Sequence, residues 1–341
     1  MIDFRYHLVS IVAVFLALAI GIVVGAQALK PGVTNTLSRT AAAEKKAIKS
    51  LYAHNQQLKN EILADESFAQ AAEPSLLRGL LAGERVVLVV APNADGGTLD
   101  GITKAIQQAG ASFAGQVVLT PQFFDTRTAN EQALMKTVSQ LKPTGISMPH
   151  SVPSLQIAGQ QQAAQVIAAT IATKDGLPTL TPSQSQQILT GFASAGFLQV
   201  NGPNGASVLS GQATMAVVII PGTVPPAATR GPVNLALVSV TQDLQEAGKG
   251  AVLAGPLLGS GPHSVIEAVN SGAAGVALTT VDNAETVVGQ IIVAQALREL
   301  LNPHASPTSY GVRPRTVPSP APGLVPSPSV SPTPTRKKTK R

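Results

Sequence analysis

From Tyr6 to Leu29 the chain runs for 24 positions without a formal charge, taking His7 as neutral. As one helix such a segment is long enough to cross a bilayer. Val, Ile, Leu and Ala dominate it, and Lys30-Pro31-Gly32 marks its end. The expectation is a transmembrane anchor over residues 1–30, preferred over a helix buried in a soluble core. A cleaved signal peptide is the other reading, because Arg5 gives a short basic start and Ala26-Gln27-Ala28 resembles a small-residue cleavage site. The apolar run Leu8 to Ala26 exceeds the roughly 7–15 residues of a signal-peptide core, so the uncleaved anchor is favoured. Flanking charge argues against an outward-facing body: Lys30, Arg39, Lys45, Lys46 and Lys49 follow the segment, whereas Arg5 and the amino terminus precede it. By the positive-inside rule alone the long C-terminal part stays in the cytoplasm, although the rule weakens when a long domain follows.

Behind the anchor, residues 34–73 carry coiled-coil spacing. Ile48, Leu51, Asn55, Leu58 and Ile62 alternate between a and d heptad positions, with Ala41 and Ala69 extending the a row. A lone Asn at a, amid Ile at a and Leu at d, favours two parallel strands in register, since an Asn pair can hydrogen-bond across the seam. Asn55 is therefore the marker for a homodimer or a partner coiled coil. Glu44 and Asp65 fall on d positions and fray the seam at both ends, leaving about two well-packed heptads. An amphipathic helix folded back on the globular part remains the alternative, and Pro74 is expected to end the helix.

The chain's formal charge of +6 belongs to its last stretch. Residues 303–341 hold seven Lys and Arg and no acid, so the rest of the chain is net −1. A basic balance confined to a tail is no sign of a nucleic-acid-binding domain, and no nucleic-acid partner is expected. That tail has ten prolines among 39 residues, in repeats such as Pro318-Ser319-Pro320, and is read as a disordered, extended spacer. Its end, Arg336 to Arg341, suits acidic envelope polymers or anionic lipid.

Between heptads and tail, residues 83–302 read as one α/β domain. Val86-Val87-Leu88-Val89-Val90 is a strand buried on both faces, and Val117-Val118-Leu119 is a second. Further strands are expected at Ala216 to Ile220, Asn234 to Val240, Ala251 to Leu253 and Gly275 to Thr279. Helices are expected at 128–141, 155–173, 183–196 and Ala284 to Leu301, the last capped by Asp282 or Asn283. Alternation of apolar runs with helical stretches predicts a mostly parallel sheet with helices on both faces.

Chemistry is sparse along this sequence. The loop Gly255-Pro256-Leu257-Leu258-Gly259-Ser260-Gly261 follows a strand and precedes a helix, where amides can cradle a phosphate, yet it lacks the Lys-Ser/Thr of a P-loop, so a plain connection is preferred. The turn Asp95-Gly96-Gly97 is read as structural. Five scattered histidines include no pair at helical ligand spacing. Met148 and His150 offer a thioether and an imidazole soft enough for Cu(I), against the plainer reading of a core Met148 and a surface His150. With no cysteine, thiolate chemistry is excluded, and without a Ser-His-Asp or paired-carboxylate arrangement no catalysis is expected.

The opening Met1-Ile2-Asp3-Phe4-Arg5-Tyr6-His7-Leu8-Val9-Ser10, continuing to Gly21, resembles the actinobacterial copper transporter family, the MctB-like proteins. The order of anchor, heptads, α/β domain and basic Pro-rich tail is similar as well. The resemblance implies a single-pass cell-membrane protein of the envelope with its C-terminal domain extracytoplasmic, or one associated with the outer membrane. It implies a role in copper transport or homeostasis, with copper as transported ion and no resident cofactor. It also implies an alternative, a scaffold that works with a neighbouring membrane protein and a peptidoglycan hydrolase in cell division or peptidoglycan remodelling. No ligand residues come with it. The residues themselves favour a tethered scaffold over a barrel channel, which needs alternating strands and aromatic girdles, whereas this chain has no Trp, three Tyr and unbroken Val runs.

Overall fold

The computed structural model describes residues 4–144, 148–149, 157–174, 179–302 and 304–313. The chain divides into two units, Met1–Asp65 and Glu66–Arg341. Helix α1 spans Phe4–Leu77. Within the first unit it carries a 20-residue apolar stretch, Tyr6–Gly25, none of which is buried. The sequence placed a break at Pro31 and a stop at Pro74, whereas α1 continues through both. A proline removes one backbone donor, a local loss that favourable neighbours outweigh. Beyond Pro74 those neighbours are Leu77 and Leu81, both fully buried, so packing holds the final turn.

The second unit takes in the last turns of α1 and then a seven-stranded sheet. Its strands are β1 (Arg85–Val90), β2 (Ser112–Leu119), β3 (Leu198–Asn201), β4 (Met215–Ile219), β5 (Gly250–Ala254), β6 (Thr279–Val281) and β7 (Ser309–Tyr310). Its helices are α2 (Gly96–Gln108), α3 (Thr128–Leu141), α4 (Ala158–Ile171), α5 (Pro182–Ser194), α6 (Ala227–Ala247), α7 (Val265–Asn270) and α8 (Val287–Leu300). Strand order is β3-β2-β1-β4-β5-β6-β7, parallel throughout except for β3, which runs antiparallel to β2. The expected mostly parallel sheet with helices on both faces is present.

Alternation along each central strand explains the two faces. Val87, Val89, Ala216, Val218, Ala251 and Leu253 enter one cluster with residues of α3, α4, α5, α6 and α7. Their neighbours Val86, Leu88, Val90, Met215, Val217, Ile219, Val252 and Ala254 enter the other, with α2, α8 and Leu77. Because both faces of β1 after Arg85, and of β4 and β5, are dry, these stretches are built of apolar residues.

Three further expectations are corrected. Asn234 to Val240, read as a strand, lies inside the 21-residue α6. A short Val- and Leu-rich run has no period that separates a buried helix from a buried strand, and here Ala236, Leu237 and Val240 pack against the sheet as one helix face. The strand expected at Gly275 to Thr279 is instead Thr279–Val281. The cap of α8 is Thr286, whose Oγ1 accepts from the Gly289 amide at 3.0 Å. Asp282 is diverted to another task, accepting from the amides of Val312 and Arg313 at 2.8 and 2.9 Å.

Asp243, on α6, is fully buried, and neither carboxylate oxygen has a hydrogen-bond partner among the described residues. Burial, reinforced by the charge of Glu246, pushes its carboxyl up to about 8. The folded state therefore keeps a proton that the unfolded chain releases near pH 4, so this residue's contribution is fully present below that pH and is lost as pH rises toward 8. Asp243→Asn is expected to raise stability at pH 8 by at least about 1 kcal/mol and to flatten the decline between pH 4 and 8, read by thermal melts across that range.

Candidate functional site

In an open α/β sheet, connections that leave neighbouring strands in opposite directions open a crevice beyond the strands' carboxyl ends. Here that switch lies between β1, which crosses through α2 to β2, and β4, which crosses through α6 to β5. A cavity of about 430 Å³ occupies the position. Its walls come from the loops after β1 (Pro92, Asn93), β2 (Pro121, Phe124) and β4 (Pro221, Val224). Five prolines in these loops and the first turn of α6 make a stiff, largely apolar rim.

The loops are tied to one another. Asn93 takes the left-handed conformation (φ 59°), and its carbonyl accepts from the Gly222 amide at 2.9 Å, joining the loops after β1 and β4. Thr120 Oγ1 donates to the Gly196 carbonyl at 2.6 Å, which holds the loop after β2 against the turn before β3. Phe123 and Phe124 stack edge-on, with centroids 5.2 Å apart.

The polar feature of the crevice is Asp125 with Arg127. Nε of Arg127 donates to both carboxylate oxygens at 3.0 and 2.8 Å, and Nη2 donates at 2.5 Å. These bonds hold the Asp125 carboxyl below its ordinary value. The backbone carbonyl of Asp125 accepts from Asn130 Nδ2 at 2.8 Å and from Gln160 Nε2 at 3.4 Å. Apolar walls around one matched ion pair suit binding rather than acid–base chemistry. As a donor set, one carboxylate already engaged by a guanidinium does not match Cu(I), which prefers thiolate, thioether and imidazole.

The residues singled out in the sequence fall elsewhere. Met148 is half-buried and packs against the cluster that includes α3 and α4; His150 lies outside the described residues, so the two are not brought together by any described contact. Among the described residues no group of three or more His, Cys, Asp or Glu is arranged to hold a metal ion. Ile48, Leu51, Asn55, Leu58 and Ile62 lie along one stripe of α1, all exposed, Leu51 at 67% and Leu58 at 44%. Asp95 caps α2, its carboxylate accepting from the Thr98 amide at 2.8 Å, which is the structural role expected of that turn.

In the Gly255–Gly261 loop three amides are already used. That of Gly255 donates to Val281, that of Ser260 to Pro256, and that of Leu257 to the Glu285 carboxylate at 3.1 Å. Glu285 thus sits where an anion would. Gly259 is present for space: a Cβ there would lie 2.2 Å from the Pro221 carbonyl oxygen, whereas one on Gly261 meets nothing nearer than 3.7 Å. Gly259→Ala is expected to destabilise the fold by about 1–3 kcal/mol and Gly261→Ala to be close to neutral, as measured by urea unfolding. A phosphate-cradling loop would instead make both glycines matter for ligand binding and neither for stability.

Residues 1–319 match the family model described as copper transport outer membrane protein, MctB. Curated relatives named copper transporter MctB agree in extent. Those of Mycobacterium tuberculosis and Mycobacterium bovis are each 28% identical over 309 residues, covering 89% of this chain and 94% of the relative. That of Mycobacterium leprae is 29% identical over the same coverage. With anchor-type helix, α/β unit and start of the tail all inside the matched span, the chain belongs to the MctB family.

Proposed function

We propose that this protein is a membrane-anchored component of the cell envelope that serves copper transport or homeostasis, with its α/β unit on the extracytoplasmic side. The observation that carries the reading is the match along 89% of the chain to proteins named copper transporters. The unburied helix Tyr6–Gly25, with mean hydropathy 2.9, supports the anchor: Leu8, Phe15 and Ile22 are each more than half exposed and require a lipid or protein surround. The second unit is an open sheet with two different edges, β3 and β7. A bilayer-spanning barrel closes its edges, so this unit acts on copper through what it assembles with rather than as a pore. Deleting the gene is expected to raise cell-associated copper under copper load, measured by elemental analysis, and the full chain to restore it. Unchanged copper in the deletion strain rejects the proposal.

A second reading rests on the exposed stripe Ile48, Leu51, Asn55, Leu58 and Ile62. Its heptad register suits a homodimer, or a coiled coil with a neighbouring membrane protein that engages a peptidoglycan hydrolase. A shared membrane would concentrate the two strands and offset the shortness of the seam. Cysteine crosslinking at position 58 in membranes is expected to trap a dimer, and Asn55→Lys is expected to abolish it. Crosslinks that survive Asn55→Lys remove this reading.

A further inference from the structure

A second cavity, of about 640 Å³, lies between α5, β3 and the segment that leads into β4. Leu180, Leu189, Leu198, Val200, Val208 and Leu209 supply its apolar surface, with Ser, Thr and Gln side chains among them. Among the lining residues, Arg85, the first residue of β1, lies against Gly211 and Gln212. Nη1 of Arg85 donates to the Gln212 carbonyl at 2.9 Å, and it would be 3.1 Å from a Cβ on Gly211. The guanidinium is thus held among the residues that line the cavity.

That guanidinium has no carboxylate partner among the described residues. The acid beside it in sequence, Glu84, is taken, accepting from Lys249 Nζ at 2.7 Å and Thr214 Oγ1 at 2.6 Å. Nor does the buried Gln212 side chain answer the charge. Its Oε1 accepts from the Thr179 amide at 2.7 Å, and its Nε2 donates to the Ala169 carbonyl at 3.0 Å. Gln212 is a strut that fixes this lining. Arg85 is partly exposed, and with one printed side-chain bond, from Nη1, it keeps other N–H donors free to meet an anion.

We propose that this cavity binds a single-chain fatty carboxylate, the chain lying among the leucines and valines and the carboxylate accepting from Arg85. The volume is within the roughly 300–1,000 Å³ of small-molecule sites. A neutral hydrophobe would fill the chamber and leave the cation unanswered. A small polar anion would meet the cation and leave the chamber empty. Only a ligand with both parts satisfies both, and the planar fork of arginine matches a carboxylate. This inference stands apart from the proposed role in copper, since it uses neither the anchor nor any metal ligand.

The test uses the full chain in phosphatidylcholine nanodiscs and a palmitate bearing a photoreactive diazirine, with labelled peptides located by mass spectrometry. Labelling is expected within residues 180–212, to be suppressed by excess oleate, and to need about tenfold more oleyl alcohol for the same effect, as expected when one charge-assisted contact is lost. Arg85→Gln, whose amide can keep the bond to the Gln212 carbonyl, is expected to lower the labelling about tenfold, and Arg85→Lys to retain most of it. The alcohol comparison is made on the unaltered chain, so it decides the matter even if Arg85→Gln does not fold. Absence of label from 180–212, equal competition by oleate and oleyl alcohol, undiminished labelling of a folded Arg85→Gln protein, or equal labelling by a diazirine phosphatidylcholine would each overturn the proposal.

Discussion

Burial of three adjacent strands on both faces is the constraint from which the rest of the second unit follows. Once β1, β4 and β5 are dry on both sides, helices must cover each face, and the two sets of side chains that alternate along each strand form two separate clusters. The covering helices determine where connections leave the sheet. Those connections in turn place the loops that surround the crevice beyond β1 and β4. Even the end of α1 and the turn after it answer to this demand, since Leu77 and Leu81 join the cluster shared with α2 and α8.

The two cavities differ in how charge is treated. Beyond the carboxyl ends of the strands, Asp125 and Arg127 neutralise each other at close range. At Arg85 the cation is left over while its neighbour Glu84 serves Lys249 and Thr214. A closed ion pair sets shape and local polarity; an unanswered guanidinium selects what enters. Among the described residues, neither place presents the soft donors that Cu(I) prefers.

Much of the architecture was legible because its signals are local. Val86 to Val90, Ala216 to Ile220 and Ala251 to Leu253 are unbroken apolar runs, and the strands stand there almost to the residue. Asn234 to Val240 misled because the same composition serves a helix pressed against a sheet, where period carries little information. Strand β7, only two residues long, exists by pairing with β6 and has no sequence signature of its own. The cavities were illegible for a related reason. Arg85 meets Gln212 and Asp125 meets Gln160 across long sequence separations, so the signal that could have found them, an unpaired or mutually paired charge beside apolar residues, exists only after folding. The heptad stripe was readable because a helix displays it directly; who faces it is not a property of the helix.

The clamp at Asp282 ties down the last of the described residues. Its buried carboxylate accepts from the amides of Val312 and Arg313, and Gly311, at φ +121°, has to be glycine because a Cβ there would strike that carboxylate. Shortening the protein after Arg313 leaves this anchorage whole. Removing four residues more strips the carboxylate of both donors and takes Tyr310 with it, so an apparently trivial trimming would strand a buried charge and open the edge of the sheet. The run Gly311-Val312-Arg313 therefore belongs to the fold although its composition gives no hint of it.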